Sequence, residues 1–287
     1  MYINSVILRS IPGPAIKALN ILREMKSLRS VPRLECDAEP LRSAREVTIR
    51  ELFTSGEIEM WWEEIKKQAD EFDIPDMTGG VNPGDRKAIF HLVSRFKPSS
   101  VLEIGTHIGS STVSIASALF MNQTRNNGKQ SKLITVDKID VNDTVTQPWL
   151  RSGVKYSPIE IIQKLKLEPI VEFVNDISLQ YLEKCEQKFD FIFFDGGMAA
   201  KTVYREIPAA LKLLENDGVI LLHNYFPWLK PLWSNKVVLP GPYLAAERLK
   251  KEGAKIDVLP LGKLPWPTKL QSNVTSLALL VRNGQSD

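Results

Sequence analysis

A doubly wound α/β domain on a mostly parallel, seven-stranded sheet, preceded by a helical extension, is the fold that this sequence predicts. Seven short apolar runs between residues 100 and 281 alternate with segments of helical apolar spacing. That alternation is the pattern of parallel strands joined by crossover helices. The run Phe189–Phe194 is apolar everywhere except Asp190, as a strand covered on both faces requires. A turn-rich stretch, Ile74-Pro75-Asp76-Met77-Thr78-Gly79-Gly80-Val81-Asn82-Pro83-Gly84, precedes the alternation and sets a boundary near residue 76.

Before that boundary, Ala15 to Leu28 has helical spacing, Pro32 to Pro40 interrupts it, and Ile49 to Phe72 reads as an amphipathic helix. Trp61 and Trp62 in that helix are expected in the core or at a dimer contact. Residues 1–75 are therefore expected to cap the site or to mediate a homodimer, and residues 76–287 to form the ligand-binding domain. Within the second part, helices are expected at Asp85 to Phe96, Ser111 to Met121, Ser157 to Leu167, Leu179 to Gln187, Lys201 to Leu214 and Tyr243 to Glu252. Strands are expected at Ser100 to Ile104, Lys132 to Val136, Ile170 to Val174, Phe189 to Phe194, Gly218 to Leu222, Lys255 to Leu259 and Ser276 to Val281. Ser157-Pro158 supplies an N-cap followed by proline at the first helical position. Asp137 to Tyr156 is a long polar loop.

Composition narrows the function. Of 287 residues, 37 are Lys or Arg against 34 Asp or Glu, with no basic block, which argues against nucleic acid as a partner. Two cysteines, Cys36 and Cys185, are too few for a disulfide framework or a zinc site. No run of about 18 apolar residues is present, and Arg9, Pro12, Pro14 and Lys17 interrupt the start, unlike a signal peptide. A cytoplasmic protein without membrane attachment is expected.

In doubly wound sheets, ligands bind beyond the carboxyl ends of the strands. Three such ends carry chemistry here. In Val101-Leu102-Glu103-Ile104-Gly105-Thr106-His107-Ile108-Gly109, Gly105 permits a sharp turn and Gly109 a close helix approach. The spacing is Gly-x-x-x-Gly, and it lacks the third glycine of a dinucleotide site. Asp137, ending the second strand, can accept hydrogen bonds from a ribose diol. Asp176, ending the third, can accept from an adenine amino group.

With these residues, Val101 to Gly109, Asp137, Asp176 and Asp190-Phe191-Ile192-Phe193-Phe194-Asp195, the chain resembles the class I S-adenosylmethionine-dependent methyltransferases. Within them it resembles the catechol-type and macrolide-tailoring O-methyltransferases. Val81-Asn82-Pro83-Gly84-Asp85 is similar to that group's loop over the methionine part of the cofactor. The similarity runs from about Thr78 to Arg282. It implies a Rossmann-like methyltransferase fold, S-adenosyl-L-methionine as cofactor and a small hydroxylated acceptor. It also implies a cofactor site of Pro83, Glu103, Gly105, Gly109, Ser111, Asp137, Asp176 and Asp195.

Catechol-type relatives hold a divalent cation with an Asp after the fourth strand and an Asp-Asn pair after the fifth. Carried over, the metal ligands are Asp195, His223 and Asn224. The imidazole would make Mg2+ less suited than Mn2+ or another transition metal. Relatives also place a Lys or His base three residues after the first ligand. Here Met198 stands there and cannot take a proton, so the role passes to His223 or Lys201, or is dispensed with. His107 faces substrate or solvent, and His91 is structural. Trp149, Tyr156, Tyr225, Phe226 and Trp228 are candidates for an apolar acceptor pocket. The function expected is methyl transfer to a hydroxyl of a small molecule, in secondary metabolism. The alternative is a domain that keeps the cofactor pocket, has lost its chemistry and serves as a binding or assembly subunit. A nucleotide-sugar or dinucleotide enzyme is disfavoured by the glycine spacing.

Overall fold

In the computed structural model, which describes residues 13–34, 36, 49–72, 74, 80–125 and 130–283, the seven apolar runs are paired in one sheet. The strands are β1 (Ser100–Ile104), β2 (Lys132–Asp137), β3 (Val171–Asn175), β4 (Phe189–Phe194), β5 (Leu214–Leu222), β6 (Ile256–Pro260) and β7 (Ala278–Arg282). Their order is β3-β2-β1-β4-β5-β7-β6. All neighbours are parallel except β7, which runs antiparallel to both β5 and β6. The helices are α1 (Gly13–Arg29), α2 (Gly56–Ala69), α3 (Pro83–Phe96), α4 (Ser110–Arg125), α5 (Pro158–Lys164), α6 (Ser178–Lys184), α7 (Ala200–Leu213) and α8 (Gly241–Lys251). Among the described residues no helix is long and apolar enough to cross a membrane.

Successive strand side chains point to opposite faces, and each face holds its own core. Val101, Leu133, Phe191, Phe193 and Leu221 join α2, α3, α4 and α5 on one side. Leu102, Ile134, Ile192, Phe194 and Ile220 join α7 and α8 on the other, where Leu28 and Val31 complete the layer. Trp61 and Trp62 are buried in the first core, with Trp62 edge-on to Phe90 at 5.4 Å. His91 is fully buried there, between Phe53 and Trp266. Burial pushes its pKa down to about 4, against the opposing pull of Glu59.

Local signals explain most boundaries. Ser157 caps α5 in a full capping box with Glu160. The single helix expected over Ile49 to Phe72 is instead broken: 3-10 turns at Ile49–Phe53 and Asp70–Phe72 flank α2. Ser55 ends the first turn because its hydroxyl accepts from the Ile58 amide and so restarts the helix. β5 begins four residues earlier than its apolar run, with Leu214 paired to Phe189 across a register shift.

Two polar devices brace the sheet's carboxyl edge. The first supports α7, whose N-cap, Ala199, has no side chain to offer. Glu24 of α1 accepts the orphan Ala200 amide hydrogen at 2.7 Å, a cap supplied from 176 residues away. Glu24→Ala should therefore destabilise the fold by about 0.5–2 kcal/mol in chemical denaturation, while Glu24→Gln, which keeps the acceptor, should cost less. Equal losses in the two variants would show that the cap is not the cause.

The second device is Glu103, fully buried on β1. Its Oε2 accepts from Thr112 at 2.5 Å and Thr135 at 2.7 Å, while Thr106 and Thr135 share a 2.6 Å bond. Burial pushes its pKa up to about 7 despite the Ser111, Thr112 and Thr135 hydroxyls, and the Asp195 charge adds to the rise. In the unfolded chain the proton is lost near 4.5. Between those values the folded state binds more protons, so stability falls as pH rises from about 4.5 to 7. Glu103→Gln should abolish that decline in melting temperature. Parallel profiles for the two proteins across that window would show that Glu103 is already ionised.

Candidate functional site at the carboxyl edge of the sheet

Parallel register places the candidate residues in one row. Ile104 pairs with Val136 and Phe194, and Phe194 with Leu222. The next residue of each strand is therefore Gly105, Asp137, Asp195 and His223. The ladder continues through them: Gly105 donates to the Val136 carbonyl at 2.8 Å, Asp195 to Ile104 at 2.8 Å, and His223 to Phe194 at 3.0 Å. Strand order reverses between β1 and β4, so the switch point at which an α/β sheet takes its ligand lies above Gly105 and Asp195.

Gly105 has φ +98°, and a Cβ there would stand 2.7 Å from the Asp195 carbonyl and the Gly196 nitrogen. Only glycine permits that approach. Gly109 has φ +76° and packs against Pro158. Asp137 ties the turn down: its carboxylate accepts from the His107 amide and the Ile139 amide, each at 3.0 Å. His107 itself is exposed, with Nε2 3.4 Å from Ser152 Oγ. Asp176 donates its amide to the Asp137 carbonyl at 3.1 Å and accepts from the Ile177 amide at 2.7 Å. Ser111 lies buried in the first turn of α4, and Pro83 occupies the first turn of α3.

These features fit a nucleoside with a charged tail. The crevice wall at Gly105 has no side chain, Asp137 and Asp176 stand side by side at the strand ends, and buried Glu103 Oε1 has no partner of hydrogen-bonding geometry. A carboxylate has about four acceptor sites, so Asp137 can receive a diol without releasing the turn.

The catalytic candidates are arranged differently from the expectation. His223 is buried, with Nδ1 2.6 Å from Asp195 Oδ1 and Nε2 3.4 Å from Asp85 Oδ2. Burial alone would lower its pKa, but Asp195 and then Asp85 raise it to about 10. Two carboxylates that favour the charged ring do not suit it to act as a general base. Asn224 stands 3.2 Å from His223 Nδ1 and 3.6 Å from the Met198 sulfur. Lys201, on the first turn of α7, is exposed and makes none of the contacts joining Asp195, His223 and Asn224. A divalent cation needs a ligand lone pair from the imidazole, and His223 as placed turns both nitrogens to carboxylates. The donor set fits a hydrogen-bonded ring and not a metal.

Of the aromatic candidates, Trp149, Tyr225 and Phe226 are buried as packing. Phe226 is edge-on to Trp233, and Tyr225 faces Tyr243. These loops carry core because they fold back over the sheet ends. Tyr156 is half-buried against Phe72. Trp228 alone of the five is exposed, at 72%, with φ +52°. Asp85 was expected only as the end of the loop over the methionine part of the cofactor, not as a partner of His223. Its signal was its place three residues after the capping Asn82, which accepts from the Asp85 amide at 3.1 Å and donates to Asp85 Oδ2 at 2.6 Å. A cleft of about 430 Å3 beside Pro83 and Ser110 was also unforeseen, with Trp62, Ile65 and Ala69 of α2 as its far wall.

Comparisons with known proteins agree with this geometry. Residues 102–225 match a family profile described as methyltransferase domain. The O-methyltransferase from Bacillus cereus, solved with S-adenosylhomocysteine, is 20% identical with a TM-score of 0.52, over 78% of this chain and 91% of that one. TomG from Streptomyces achromogenes, an O-methyltransferase of tomaymycin synthesis solved with S-adenosylmethionine, is 18% identical with a TM-score of 0.51, over 78% and 90%. At such identities the likeness is one of fold. No curated protein matches the chain by sequence. The matched span, residues 102–225, carries the carboxyl ends of all five strands β1 to β5, where the candidate residues lie.

Proposed function

We propose that this protein transfers the methyl group of S-adenosylmethionine to a hydroxyl of a small molecule, in a cytoplasmic pathway of secondary metabolism. The observation that carries the reading is the row of Gly105, Asp137, Asp195 and His223 at one level of the sheet, where β1's exit packs on β4's so closely that only glycine fits at 105. The cofactor-bound structures of similar fold, one of them serving tomaymycin synthesis, support it. Gly105, Gly109, Pro83 and Ser111 would line the cofactor, Asp137 would hold the ribose and Asp176 the adenine, with Glu103 and Asp195 beneath the methionine part. When bound, the cofactor supplies an electrophilic methyl on a sulfonium and leaves as the thioether, S-adenosylhomocysteine.

The chain's own share is alignment. An acceptor oxygen forms the new C–O bond while the S–C bond breaks, and holding the two reactants in line supplies most of the acceleration. Helix α2 of the extension would cap the acceptor side, since it walls the cleft of about 430 Å3, a size suited to a small molecule. Met198 carries no proton acceptor, Lys201 is exposed, and His223 has both nitrogens engaged. The fitting acceptor is therefore one that ionises readily, a phenol or enol rather than an alkyl alcohol.

Two measurements test this. Asp137→Asn keeps one acceptor oxygen for the turn but loses the charge, so it should weaken S-adenosylmethionine binding by about 1.5–3 kcal/mol, or roughly ten- to a hundred-fold, in calorimetry. Unchanged affinity in the folded variant, or NAD bound in its place, would sink the assignment. In a series of phenols of graded acidity, the alkaline rise in kcat/KM should track the acceptor's own pKa. A rise at one fixed pH for every acceptor would mean that a protein base takes the proton.

A further inference from the structure

The geometry points to a site without a metal: the bridge Asp195–His223–Asp85 takes the place of the divalent cation at the ends of β4 and β5. The inference rests on the methyltransferase reading, because it concerns how that site is held together.

Three observations carry it. First, the two ring nitrogens point in opposite directions and each meets a carboxylate, Asp195 at 2.6 Å and Asp85 at 3.4 Å. Nδ1 is in hydrogen-bonding reach of Asp195, with Asn224 Nδ2 3.2 Å away, and Nε2 is at ion-pair distance from Asp85, so a ring protonated at both nitrogens keeps no lone pair for a metal. Second, Asp85 is fully buried, and a buried carboxylate needs a donor. Its Oδ2 has the Asn82 side-chain amide at 2.6 Å and the His223 ring at 3.4 Å, while its buried Oδ1 has no hydrogen-bond partner. Turning the ring outward to bind a cation would remove one of these. Third, the bridge does more than tie the ends of β4 and β5 to each other. It links the first turn of α3, just after Asn82 and Pro83, to the ends of two strands, and so holds the loop beside the crevice in place. An imidazole at position 223 can do this because it spans two acceptors on opposite sides. An aspartate there would put a third carboxylate beside Asp85 and Asp195, and that cluster would call for a divalent cation.

The test is Mn2+ binding to the full-length protein by electron paramagnetic resonance, with calorimetry for S-adenosylmethionine in EDTA alongside. The parent should leave Mn2+ free in solution at concentrations where His223→Asp, with the acidic set restored, binds it about ten- to a hundred-fold more tightly. Parent binding of Mn2+ that is lost in Asp195→Asn would overturn the inference. Should His223→Asp fail to fold, nitrogen NMR of the parent decides: both His223 nitrogens should carry hydrogen and stay unmoved by Zn2+, whereas a ring nitrogen that shifts on Zn2+ addition would refute the bridge. The cofactor arm separates the two readings. Failure to bind S-adenosylmethionine in EDTA, followed by binding once Mn2+ is added, overturns the metal-free site and spares the methyltransferase reading. Failure to bind it with or without metal overturns that reading and with it the inference that rests on it.

Discussion

The approach of β1's exit to β4's exit is the constraint from which the rest of this edge follows. Gly105 lies so close to Asp195 and Gly196 that no Cβ could stand between them. Contact at this point sets the crevice width and brings Asp137 within reach of the His107 amide. It also brings Asp195 near enough to buried Glu103 to help raise that carboxyl's proton affinity. A side chain at 105 would separate the strands by more than register pairing tolerates, and the row of strand-end residues would lose its common level.

Much of this was legible in the sequence, and the reasons are local. Strands β1, β2 and β4 and the second half of β5 show as apolar runs because they are buried on both faces. The Ser157 cap and the glycine turn show because each needs particular residue types. Asp137 and Asp195 were found because each directly follows such a run. What could not be read depends on distance along the chain. Asp85 meets His223 across 138 positions, and Glu24 meets Ala200 across 176. No local pattern marks either pairing. Trp149, Tyr225 and Phe226 misled for the converse reason. Loop aromatics look available to a ligand, yet here the loops fold back and bury them. The break at Ser55 was missed because helical apolar spacing runs on across it.

The acidic residues of the edge divide into two kinds. Glu103, Asp85 and Asp195 are held by fixed donors of the protein itself: hydroxyls for the first, an imidazole for the other two. Asp137 and Asp176 accept backbone amides on part of their capacity and remain half-open to solvent. This division suits a site that must present oriented acceptors to a polar ligand without reorganising. Oxygens already held by the backbone lose little freedom when a further donor arrives. The closed group holds the strands and the α3 turn in place, so that the open group keeps its position.

The N-terminal extension enters this arrangement from both sides. Helix α1 lies on the α7 face and reaches the edge through Glu24, at the amide that follows Met198 and Ala199. It is fastened further along by Arg248, which stacks on Tyr204 and donates to the Leu28 and Val31 carbonyls. Helix α2 lies on the opposite face and reaches the edge through Glu59, which pairs with Lys87 and His91 of α3. Those two residues follow Asp85 on the same helix. The loop that carries Asp195 and the turn that carries Asp85 are thus each braced by a different helix of the extension, and His223 joins the two. Stability and site order are coupled through these contacts.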